Sequence, residues 1–127
     1  MTIADVAKKY SLTPDTLRYY ERVGLLPTVN RKSSGIRDYT EEDCRWVEFM
    51  KCMRSAGLQI EVLTEYVRLF QQGDETAHAR KALLVEQRDH LASKMRDIQA
   101  SLDRLNLKIQ RYEQLVIPVE DELKNKG

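Results

Sequence analysis

Between Glu75 and Val116 the chain contains neither glycine nor proline. Within that stretch Ile98, Leu102, Leu105, Ile109, Tyr112 and Val116 follow one another at alternating spacings of four and three. The stripe runs back through Met95 and Leu91, then Arg88, then Leu84. Apolar residues recurring every 3.5 positions on average form the seam of a coiled coil, here with Arg88 as one polar interruption. At 1.5 Å per residue the helix would be roughly 60 Å long. Its stripe is too narrow for burial in a core of its own, and no second segment of similar length offers to cover it. The pattern therefore predicts a helix that pairs with a second copy. Leu91, Met95, Ile98, Leu102, Leu105, Ile109 and Tyr112 would line that interface, and parallel and antiparallel pairing both stay open. Pro118 is expected to end the helix. This gives a dimerisation helix over 74–117 and a short polar tail over 118–127.

Residues 1–73 read as a separate domain of short helices. Ile3, Val6 and Ala7 recur at helical spacing, which predicts a first helix over Ile3 to Lys9. Tyr10-Ser11-Leu12 reads as a tight turn. Thr13 then caps a second helix that has Pro14 at its first position and Asp15 in its first turn. This helix is expected to stop at Gly24. Two short helices joined by a few residues make a helix-turn-helix. From Pro27 to Tyr39 turn formers alternate with Arg31, Lys32 and Arg37, which predicts a small β-hairpin with a basic tip. Thr40 caps a third helix with an acidic first turn. Trp46, Phe49, Met50 and Met53 form its expected apolar face, and Gly57 its end. A fourth helix turns Ile60, Leu63, Tyr66, Val67 and Phe70 inward, before a break at Gln71-Gln72-Gly73-Asp74. The fold class is mainly α: a winged helix-turn-helix with a small β-hairpin wing, followed by a long C-terminal dimerisation helix.

Net charge over the 127 residues is only +1. Its distribution is uneven. Residues 1–39 carry seven basic and four acidic side chains, and the rest carries 14 and 16. The basic excess lies where a nucleic-acid contact would need it. Neither a signal peptide nor an apolar run of about 18 residues is legible, so no membrane partner is expected and the setting reads as cytoplasmic. Cys44 and Cys52 on one helix would stand about 12 Å apart, too far for a disulfide. His78 and His90, roughly 18 Å apart along the long helix, cannot share a metal within one chain. Neither a catalytic triad nor a carboxylate pair is legible. No enzyme activity, metal or cofactor is expected.

The segment Thr16-Leu17-Arg18-Tyr19-Tyr20-Glu21-Arg22-Val23-Gly24-Leu25-Leu26 resembles the recognition-helix signature of the MerR family of transcriptional regulators. The wing segment Arg31-Lys32-Ser33-Ser34-Gly35-Ile36-Arg37-Asp38-Tyr39-Thr40 is similar to that family's wing, in the same order and at the same distance. The Asp43 region, Ser55-Ala56-Gly57-Leu58 and the long helix match as well, so the resemblance spans essentially the whole chain. Ile36 departs from it, standing where many members carry Tyr. Cysteines near the end of the dimer helix, which mark metal-sensing members, are absent. Gly35-Ile36-Arg37-Asp38-Tyr39 together with Lys51-Cys52-Met53-Arg54 looks most like the NmlR/AdhR-like branch, associated with reactive aldehydes and carbonyl or thiol stress.

The resemblance implies a homodimer on double-stranded promoter DNA at an inverted repeat, with RNA polymerase as a further partner at the promoter. It also implies activation by bending and untwisting the DNA. On the second helix Arg18 would reach base edges or a phosphate, Tyr19 would pack against the backbone, and Thr16 shares its face. Arg31, Lys32 and Arg37 would contact phosphates from the wing. Tyr39 would be half packed, its hydroxyl toward phosphate. A helical wheel puts Cys52 at the border of the expected core and Cys44 nearly opposite it, so geometry nominates Cys44 as the accessible thiol. The resemblance nominates Cys52 as the sensor. Lys51 and Arg54 flank Cys52 and could favour its thiolate, Arg45 shares its face, and Glu48 opposes ionisation. A regulator answering to a metal or to nothing, and a coiled-coil adaptor that binds no DNA, are the alternatives.

Overall fold

The computed structural model describes residues 1–126. Its helices are α1 (Ile3–Tyr10), α2 (Pro14–Arg22), α3 (Glu41–Ser55), α4 (Ile60–Gln72), α5 (Ala77–Arg111) and α6 (Ile117–Lys126). A 3-10 turn, Asp74–Thr76, precedes α5, and a π turn, Tyr112–Val116, separates α5 from α6. The chain divides into two compact units, Met1–Gln87 and a second from Arg88 onward.

In the first unit the caps expected from the sequence are formed. Thr13 Oγ1 accepts the Thr16 N–H at 3.1 Å, and Pro14 takes the first position of α2, where no N–H is needed. Thr40 and Asp43 make a reciprocal capping box at the start of α3: Thr40 Oγ1 accepts the Asp43 N–H at 3.1 Å, and Asp43 Oδ2 accepts the Thr40 N–H at 2.9 Å. Thr2 and Asp5 do the same for α1. After α2 the chain reverses at Gly24, where φ is +87°, and the Leu25 N–H returns to Tyr20 O at 2.8 Å. A side chain at Gly24 would have room, so it is the left-handed backbone that selects glycine there.

Val6, Leu17, Leu25, Val47, Met50 and Leu63 are the innermost side chains, joined by Leu26, Val29, Tyr39, Leu58 and Val67. Full burial of such a side chain stabilises by about 1.5–3 kcal/mol. The buried face of α3 is Cys44, Val47 and Met50, rotated from the expected one. Small Cys44 and Val47 leave room on the core side. The bulky Trp46 and Phe49 are displaced to the flank, where they meet α4. Trp46 stacks edge-on against Phe70 at 5.0 Å between centroids, and Phe49 lies 5.9 Å from Tyr66. On α4, Leu63 and Val67 point inward as expected, while Phe70 stays partly exposed.

The wing is slighter than a two-stranded hairpin. Among the described residues it is closed by a single antiparallel bridge between Arg31 and Arg37. The Lys32 N–H donates to Ile36 O and the Gly35 N–H to Lys32 O, both at 2.8 Å. The Asp38 N–H adds a bond to Asn30 O at 2.7 Å, but beyond it the Val29 N–H turns to Glu21 Oε2 and the Tyr39 N–H to Met1 O, so the ladder goes no further.

In the second unit the seam residues Leu91, Met95, Ile98, Leu102, Leu105, Ile109 and Tyr112 are all exposed in the single chain. Pro118 does not end the helical backbone, which continues to Lys126. The π turn accommodates it: the Ile117 N–H reaches back five residues to Tyr112 O, so the hydrogen-bond ladder is already widened where proline supplies no N–H. Val119 and Leu123 extend the seam's spacing beyond Val116 and are exposed too. No described helix is long and apolar enough to cross a membrane.

Candidate nucleic-acid interface

Helix α2 buries Leu17 and Tyr20, which turns Arg18 outward and leaves Thr16 and Tyr19 half-buried. Arg18 Nη1 donates to Asp15 Oδ1 at 2.7 Å, yet its side chain is still 49% exposed. In water such an ion pair is weak, and a phosphate could replace it. The Thr16 hydroxyl lies 2.9 Å from that of Thr13. Tyr19 has the Arg22 guanidinium 5.4 Å from its ring centre, which adds a cation beside the ring.

The wing is fastened to α2 through Glu21. Its Oε1 accepts from Arg37 Nε at 2.7 Å, and its Oε2 accepts the Val29 N–H at 3.1 Å. Arg37 is consequently a half-buried residue in an ion pair rather than a free finger. Arg31 bonds Gly35 O at 2.8 Å across the turn and remains exposed, as does Lys32. Sequence reasoning misses Glu21. The available signal is a carboxylate set among the basic residues of the second helix and wing.

Tyr39 is placed differently from expectation. It is only 2% exposed, and its hydroxyl is buried without a hydrogen-bond partner. Reciprocal backbone contacts hold it inward: the Tyr39 N–H donates to Met1 O at 2.8 Å, and the Met1 ammonium donates to Tyr39 O at 2.9 Å. Burial pushes the phenol above its ordinary range, with Arg37 pulling weakly the other way.

The thiols exchange their expected places. Cys44 is buried and Cys52 exposed, because α3 turns its Cys44/Val47/Met50 side to the core. Lys51 Nζ donates to Tyr10 O at the end of α1, and Arg54 Nη1 donates to Leu58 O at 2.8 Å. Both cations are thus tied to backbone carbonyls of neighbouring segments. Arg45, two turns back on the same outward strip, remains exposed. Nothing in the sequence signals that Trp46, Phe49, Tyr66 and Phe70, with Glu42 and Arg45, line a surface cleft of about 260 Å³. His78 and His90 are exposed, and among the described residues no group of three or more His, Cys, Asp or Glu could hold a metal ion.

Residues 1–69 match the family model described as MerR HTH family regulatory protein, and residues 44–107 match the one described as MerR, DNA binding. The chain belongs to the MerR family. The HTH-type transcriptional regulator AdhR of Bacillus subtilis (strain 168) is 63% identical over 91 residues, which cover 72% of this chain and 65% of AdhR. The chain thus spans just under two thirds of that relative's length. A crystal structure from Listeria monocytogenes assigned to the MerR family superposes with a TM-score of 0.94 at 43% identity, covering 98% of this chain and 95% of that one. The crystal structure of HiNmlR, a MerR family regulator lacking the sensor domain and bound to promoter DNA, gives a TM-score of 0.81 at 28% identity, covering 89% and 90%. These relatives are transcriptional regulators, not enzymes.

Proposed function

We propose that this MerR family member is a cytoplasmic homodimeric regulator that binds an inverted-repeat promoter site and answers carbonyl or thiol stress through Cys52. The observation that carries the DNA reading is the Glu21 bridge, which makes α2 and the basic wing one continuous surface. In it Thr16, Arg18 and Tyr19 face the groove, and Arg31, Lys32 and Arg37 face backbone phosphates. HiNmlR, of similar fold, was crystallised on promoter DNA. The seam from Leu91 to Tyr112 pairs two copies and sets the spacing of the half-sites. RNA polymerase is the partner that reads the distorted promoter.

The exposure of Cys52 supports its role as sensor. Its thiolate adds to the carbonyl carbon of an aldehyde, the C=O π pair moves onto the carbonyl oxygen, and that oxygen takes up a proton from water, giving a hemithioacetal. The adduct would bias the dimer between two DNA-bound shapes. The test is binding and in vitro transcription at the protein's own promoter, comparing wild type with Cys52→Ser, with and without an electrophilic aldehyde. The proposal expects both proteins to bind and only wild type to change transcription. An equal response by both would remove Cys52 from the mechanism. Failure of wild type to bind at low salt would remove the DNA reading.

A further inference from the structure

Taking α2 and the wing as the DNA-contacting surface, we propose that Glu21 is a positioning residue for recognition: it presents Arg37 to a backbone phosphate in a preset orientation.

A carboxylate inside a surface that meets phosphates needs a reason, because it opposes binding by simple charge. Glu21 is not a loose counter-charge. Its side chain is 14% exposed and that of Arg37 22%. Both carboxylate oxygens are engaged, one by Arg37 Nε and one by the Val29 N–H. Val29 lies where the chain enters the wing and Arg37 where it leaves, so one side chain on the last turn of α2 fixes both ends. A guanidinium has five N–H donors in a planar fork. Glu21 takes the Nε donor, which fixes the plane and leaves the Nη groups for another acceptor. Ordering the donor before DNA arrives lowers the entropic cost of the contact.

A pure counter-charge role makes the opposite prediction in sign. Removing a negative charge from a DNA-binding face should strengthen binding to any duplex. The positioning role requires that Glu21→Gln weaken binding to the inverted repeat while leaving a scrambled duplex unaffected or tighter. The experiment is fluorescence anisotropy of both duplexes across a salt series for wild type, Glu21→Gln, Arg37→Gln, Arg37→Lys and the Glu21→Gln/Arg37→Gln double variant, each confirmed as folded by its thermal unfolding. Glu21→Gln should lose about tenfold at the inverted repeat, the scale of one charge-assisted hydrogen bond. Arg37→Gln should lower the slope of log K against log salt by about 0.9 for each phosphate it no longer neutralises, and the double variant should be no worse than Arg37→Gln alone. Arg37→Lys keeps the charge but has no Nε fork, and should resemble Glu21→Gln rather than wild type. Equal or tighter binding of Glu21→Gln at the inverted repeat, or losses that simply add in the double variant, would overturn the inference while leaving the DNA reading intact. Wild type that binds neither duplex at low salt would overturn both.

Discussion

Cys44 and Cys52 lie on the same helix with opposite exposures: Cys44 Sγ is buried 3.8 Å from Met1 Sδ, and Cys52 faces solvent. A thiol reacts as its thiolate and only where a reagent can reach it. Iodoacetamide under native conditions should therefore modify one thiol quickly and the other only on unfolding. Peptide mass mapping should place the fast site at Cys52, and Cys52→Ser should abolish the fast phase. A fast phase at Cys44 would contradict the orientation of α3.

Tyr39 supplies a test of stability and of its dependence on pH. A buried hydroxyl without a partner has lost its water and gained nothing. Tyr39→Phe should consequently hold or raise stability, by up to about 1 kcal/mol. Because burial raises the phenol's folded pKa above its ordinary 10.0, the folded state keeps its proton where the unfolded chain loses it. The associated stability is complete below about pH 10 and falls as pH rises through the folded value. Urea unfolding of Tyr39→Phe should show a shallower alkaline decline. Part of it should remain, since burial also raises Tyr20. A loss of several kcal/mol near neutral pH would mean that the hydroxyl has a partner.

Much of this was legible because local rules and tertiary needs agree. Thr13-Pro14 and Thr40-Asp43 fix helix starts with their own atoms, and the long helix needs only a run without glycine or proline. The rotation of α3 was not legible. Trp46 and Phe49 are the strongest apolar residues on that helix, but the core has space for Cys44 and Val47, and only the packing of α1 and α4 decides which side wins. Pro118 misled for a related reason: its usual meaning depends on a preceding α turn, and the π turn replaces it. Arg37 was readable as a basic wing residue. Its pairing spans 16 positions to Glu21, beyond any local pattern.

Leu17 is fully buried beneath the face of α2 that carries Arg18 and Tyr19. Leu17→Ala should cost about 2–5 kcal/mol, the range for a buried leucine whose cavity does not collapse. Urea unfolding would measure it. Because Leu17 orients α2, affinity for the inverted repeat should fall further than the unfolded fraction alone explains. A cost below about 1 kcal/mol would mean that α2 is not anchored through Leu17.

The seam can be separated from general apolarity by two leucines of nearly equal exposure. Leu105 is 61% exposed and continues the four-three spacing, whereas Leu107 is 62% exposed and lies two residues on, toward the opposite side of the helix. An aspartate in a coiled-coil seam must be desolvated against the partner helix, while one on the outer side stays in water. Leu105→Asp should therefore weaken self-association at least tenfold, and Leu107→Asp should leave it near the wild-type value. Sedimentation equilibrium gives both constants. The DNA consequence follows from the same geometry: a protomer that cannot pair meets only one half-site, so Leu105→Asp should lose the preference for an inverted repeat over a single half-site. If the two variants dissociate alike, or neither does, the pairing surface is not the seam read from the spacing.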